Sequence, residues 1–246
     1  MTAPKLDFVI DQDYLVFHAL SRRIPSSSDL LFFLCREAYR ISESTLELLR
    51  KNYHPKIVLN IPLKDRTTEE RDFVEKLKAT AVYQAFLQQT YDYQRTVKAE
   101  WNANLETSLQ FMQEKTGLPL DSNYTVFLTH PSLSNGIYIG NRRIAWGGPP
   151  VFENYNTVYL WHEVLHDDEI IGTDSDIGHA IIESVTDNGL RVHLNGGNHE
   201  PLVGHPHLDE LRREIFDNDW QNYLASSPRD ILAFKVEMEE KYKKRP

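Results

Sequence analysis

His162, Glu163 and His166 lie in the stretch NTVYLWHEVLHDD, residues 156–168, and carry the most specific chemical signal in the chain. On an α-helix, two histidines four apart share one face, and the residue after the first points about 100° away from it. Two neutral imidazoles at that spacing can hold a zinc ion while the adjacent carboxylate accepts a proton from water. The stretch predicts a helix starting at Asn156 or Thr157. Val158, Trp161, Val164 and Leu165 form its apolar side, and no glycine or proline interrupts it.

A catalytic zinc needs a third protein ligand that leaves one position open. Glu183 is the first candidate, 17 residues after His166 on a second expected helix from Ile177 to about His193. There His179, Glu183, Asp187 and Arg191 recur at i, i+4 as a polar stripe, with Ile177, Ile181, Val185 and Leu190 facing the core. If Glu183 binds the ion, Asp187 one turn later can accept the free N–H of a ligand histidine. The acidic loop HDDEIIGTDSD holds the rival ligands, and His179 is a weaker candidate, expected on the helix surface or just behind the ligands. Hydrolysis of an amide also needs a donor for the developing oxyanion. Tyr138, Tyr155, Arg191, His193 and His199 could serve, with His193, at the end of the second helix, preferred.

His162-Glu163-x-x-His166 followed by Glu183-x-x-x-Asp187 resembles the gluzincins, the thermolysin-like zinc metallopeptidases. The resemblance covers roughly residues 124–193. It implies zinc on His162, His166 and Glu183, Glu163 as general base, Asp187 orienting a histidine, and an edge strand for peptide in the hairpin upstream of the motif. Gly172-Thr173-Asp174 is also similar to the aspzincin pattern, but Ser175 stands at that family's ligand position and Gly178-His179 replaces its Tyr-Gly. The metzincin pattern requires a glycine where this chain has Glu169.

The elements that must position these residues change in texture at Gly117. Residues 1–115 read as mostly helical: DYLVFHALSR, then a helix capped by Pro25 to Asp29 and running from Leu30 toward Lys51. KIVLNIPL, broken by Pro62, reads as an edge strand or an extended connector. A long helix is expected to start near Thr67 or Thr68 and run through YDYQ, and another from about Arg95 to Lys115, ending at Gly117. After it, Tyr124–Thr129 reads as a strand and residues 136–146 as a hairpin turning at Gly140-Asn141. Two more amphipathic helices follow the loop LNGGNHEPLVGHPH. The fold expected is α+β and predominantly helical, with an N-terminal helical region, 1–117, and a zincin-like metal-binding region, 118–246. A small antiparallel sheet precedes the HExxH helix.

The chain has 246 residues, 41% hydrophobic and 26% charged, which is ordinary globular usage. Its net charge of −9 and lack of a basic block beyond KYKKRP argue against nucleic acid and anionic membranes as partners. The single cysteine, Cys35, sits in LLFFLC and reads as a buried thiol in a reducing, cytoplasmic protein. The function expected is that of a zinc-dependent hydrolase, an intracellular metallopeptidase acting on a peptide or protein substrate. The alternative is a non-catalytic helical binding or regulatory protein with a structural or vestigial zinc site. A closed site with four protein ligands would favour that alternative, and three ligands would favour the enzyme.

Overall fold

Four short strands, rich in aromatic and β-branched residues, meet in one sheet: β1 (Leu6–Val9), β2 (Tyr124–Leu128), β3 (Asn135–Gly140) and β4 (Arg143–Gly147). The computed structural model describes residues 3–21, 30–61, 63–172, 175–197 and 203–242. The strand order is β1-β2-β4-β3, with β1–β2 and β2–β4 parallel and only β3–β4 antiparallel. The sheet is therefore mixed, not antiparallel. The β3–β4 hairpin docks with its second strand inward, leaving β3 on the edge, and β1, only four residues long, comes from the far N-terminus. The hairpin turns at Asn141 and Arg142, whose φ of 53° and 55° meet the left-handed requirement of a two-residue turn.

Helices cover both faces of the sheet. On the N-terminal side lie α1 (Gln12–Ser21), α2 (Leu30–Ile41), α3 (Glu43–Asn52), α4 (Pro55–Asn60), α5 (Thr68–Lys78) and α6 (Ala81–Thr116). Each break has a local cause. Ser42 caps α3, Thr67 and Glu70 form a capping box on α5, and the Thr80 side chain takes the Tyr83 N–H at the start of α6. These caps overrule the periodicity that suggested one helix from Leu30 toward Lys51 and one running from Thr67 through YDYQ. With no breaker at Arg95, α6 instead continues unbroken for 36 residues. KIVLN is helical in α4, not a strand; Pro62, like the expected Pro25–Asp29 cap, falls outside the described residues.

The second set of helices is α7 (Tyr155–Leu165), α8 (Asp176–Glu183), a π-helical turn over Ser184–Leu190, α9 (Arg191–Leu194) and α10 (Asp209–Glu214). A second π turn, Ile215–Trp220, leads into α11 (Gln221–Ala225), and α12 (Ile231–Tyr242) follows. Alternation along the strands divides the interior. Val126, Leu128, Ile144 and Trp146 join the core built on α7, α8 and α12, whereas Phe127, Ile137 and Ala145 pack with the core of α1 to α5, which also buries Cys35. Helix α6 contributes to both: Tyr83 and Phe86 to one, Val97, Trp101 and Met112 to the other. Residues on either side of Gly117 thus share the sheet and its cores. Among the described residues no helix is long and apolar enough to cross a membrane.

Gly117 ends α6 in the left-handed conformation, φ 74°, and a Cβ there would collide with the carbonyl of Arg229. Gly117→Ala is therefore expected to lower unfolding stability by about 1–3 kcal/mol, read as a shift of the urea midpoint at unchanged slope.

Candidate metal centre

The N-terminus of α7 is anchored from outside the helix. Asn154, its N-cap, is left-handed and makes no side-chain cap. Glu100 on α6 supplies the missing acceptor, taking the Thr157 N–H at 2.8 Å and the Asn156 amide at 2.7 Å, where a carboxylate also suits the positive end of the helix. Fully buried Asn156 accepts from the Trp146 indole at 3.0 Å and lies 2.9 Å from the Tyr93 hydroxyl. The helix is thereby fixed to both α6 and β4. Trp161 donates to Ser108 at 2.8 Å and packs on Trp101.

The C-terminal end is held as firmly. Buried Asp167, directly after the motif, accepts the Tyr124 hydroxyl at 2.7 Å and the Tyr138 hydroxyl at 3.1 Å. A carboxylate between two strands thus fixes where His166 points.

Between these anchors the two motif histidines converge, with His162 Nε2 and His166 Nε2 3.0 Å apart. Both rings are buried. Asp187 Oδ1 lies 2.8 Å from His162 Nδ1, so the carboxylate holds a proton on Nδ1 and turns Nε2 toward His166. The Asp187 expected behind a ligand histidine is at that position. His179 completes the group: one nitrogen from each of His162, His166 and His179 lies within 4.8 Å of the other two, and buried His179 Nε2 has no hydrogen-bond partner.

The donor set fits a divalent cation. Burial opposes a proton on His162, but the Asp187 carboxylate prevails and raises its pKa to about 9. Burial, followed by the charge on His162 and then on its other histidine neighbours, lowers His166 to about 2 and His179 to about 4. The cluster therefore accommodates positive charge at one position among three imidazoles, and a single cation can take the place of that proton. Glu163, on the same helix, is buried too; burial raises its pKa to about 7 against the pull of His162 and of the Tyr138 backbone N–H.

Glu183, the ligand expected from spacing, falls with His179 and His205 in a second group that could hold a metal ion. Its buried carboxylate pairs with the buried guanidinium of Arg212 and accepts the His205 backbone N–H and Nδ1–H, each at 2.6 Å. It lies 3.8 Å from His179 Nε2. The π turn over Ser184–Leu190 widens the hydrogen-bonding step to i→i+5, so Asp187 no longer falls where an unbroken i, i+4 stripe would put it. His193 is exposed on α9 and stacks on Phe111, away from the cavity beside the centre. Arg191 covers Phe152, and the Tyr138 hydroxyl is engaged by Asp167. His199, Thr173 and Asp174 lie outside the described residues, and Asp176 opens α8.

A cavity of about 190 Å³ opens beside His162 and Glu163. Gly136 and Asn135 of edge strand β3 form one side, Trp146, Tyr155 and Tyr159 the aromatic side, and His205 borders it. Gly136 permits this proximity, because a Cβ there would press on Trp146 and lie 3.1 Å from Glu163 Oε1. No protein family, curated protein or solved structure matches the chain. The reading of the centre therefore rests on its own geometry. Spacing missed His205, Asp167 and Glu100; only the histidine-rich loop and the aspartate abutting the motif signalled the first two.

Asp187→Ala is expected to weaken zinc binding about 10- to 100-fold in competition with a chromophoric chelator. Glu183→Gln should instead cost about 3 kcal/mol of unfolding stability by stranding buried Arg212, with a smaller loss of zinc affinity than His179→Ala shows in the same titration.

Proposed function

We propose that the chain is a zinc-dependent hydrolase that cleaves peptide bonds. The observation that carries this reading is the convergence of His162, His166 and His179 beside Glu163, at the border of a cavity bounded by edge strand β3. Zinc, when bound, supplies a Lewis acid and an activated water. The protein's own residues do the rest. Asp187 holds the His162 tautomer, and Glu163 takes a proton from water and returns it to the departing amine. An extended substrate can pair with β3, the edge strand of the sheet. The Asn135 amide nitrogen, buried beside Glu163 without a partner, is a donor available to a substrate carbonyl.

The second reading, a structural zinc site in a binding or regulatory protein, needs a fourth protein ligand. His205, its ring 4.6 Å from that of His179, is near enough to supply one.

Protein purified without chelators should carry about one zinc per chain, as expected for a single three-histidine centre. Glu163→Gln should keep that zinc and lose peptide cleavage by about 100-fold or more, measured by elemental analysis and by mass spectrometry of a casein digest. Cleavage at the parent rate by the zinc-loaded variant would exclude Glu163 as the base.

A further inference from the structure

His162 and His166 are buried, and the cavity that opens beside His162 has exposed His205 at its border. The structure offers a graded path of imidazoles. Ring centroids are 5.7 Å apart between His207 and His205, 4.6 Å between His205 and His179, and 4.7 Å between His179 and His166. Side-chain exposure falls along it, from 52% at His205 to 25% at His179 and 5% at His162. Two potential ligand groups overlap on this path, His162–His166–His179 inside and His179–Glu183–His205 outside, and His179 belongs to both.

We propose that His205, with exposed His207 beside it, is a capture station from which His179 passes a divalent cation to the inner trio. This rests on the reading of that trio as a metal centre. The transfer is a ligand exchange: the bond to His205 breaks as bonds to His162 and His166 form, the proton that the cluster held leaves to water, the bond to His179 persists, and no electron moves. Imidazole donors suit a borderline cation such as zinc. The outer station is the weaker of the two, because Arg212 and the His205 N–H already engage the Glu183 carboxylate. It is also built to stay in place. Asn188 pairs with both backbone polar groups of Val203, at 2.9 and 2.6 Å, and a Cβ at Gly204 would collide with Glu183 and Arg212. The segment that carries His205 is thus clamped against the helix that carries His179.

The test is zinc uptake by the metal-free full chain, followed in stopped flow as ZnCl2 is partitioned between protein and a chromophoric chelator. His205→Ala and His205→Asn are compared with the parent, with circular dichroism confirming the fold. Asn can keep a hydrogen bond to Glu183 but offers no imidazole to pass an ion on. Both variants are expected to take up zinc about tenfold more slowly while equilibrium affinity stays within about threefold, less than the loss of a ligand's support causes. Uptake at the parent rate, or its recovery in His205→Asn, would overturn the proposal. So would affinity that falls in step with the rate, marking His205 as a fourth ligand, or two zinc ions bound per chain at once. If the parent protein binds no zinc, the metal centre itself fails, an outcome distinct from all of these.

Discussion

Asp187 accepts the Nδ1 proton of His162 in a space closed to solvent, and the tautomer this imposes determines what the centre can be. With Nδ1 committed, the only lone pair His162 can offer is on Nε2, aimed at His166. Two buried ring nitrogens 3.0 Å apart repel unless a proton or a cation lies between them. The neighbouring groups follow from that constraint. His179 adds a third donor, Glu163 remains beside the cluster, and both ends of α7 are held by carboxylates from outside the helix, Glu100 at one end and Asp167 at the other.

Much of this was legible in the sequence, and the reasons differ by residue. The facing of His162 and His166, with Glu163 beside them, follows from helical spacing within regular α7, whereas Asp187 reaches His162 from within the π turn. Glu183 does stand one turn after His179, as the stripe has it, and falls with His179 and His205 in one group that could hold a metal ion. Its carboxylate also pairs with buried Arg212, which lies 29 residues downstream. Nothing local announces such a partner. His179, one turn before Glu183 on the same stripe and the weaker candidate by spacing, is brought beside the motif by the packing of α7 against α8.

The fold shows the same division. The hairpin, the capping box at Thr67 and the stop at Gly117 are encoded over a few residues and could be read directly. Strand β1 could not, because LDFV becomes a strand only by pairing with β2, more than a hundred residues later. KIVLN illustrates the converse: its β-branched residues favour a strand, yet it forms a short helix that packs near β3. Short apolar segments take their conformation from what they are packed against.

Helix α6 gives the molecule a property that neither core has alone. It is a single rod of about 54 Å, and its aromatic residues are embedded at one end among the N-terminal helices and at the other beneath the motif helix, where Glu100 also holds the start of α7. Fraying of either end removes support from the other, so the two cores open as one cooperative unit. Any ligand that binds only the folded centre raises the opening free energy of that whole unit by mass action. Slowed hydrogen exchange in helices remote from the histidines would thus report occupancy of the site.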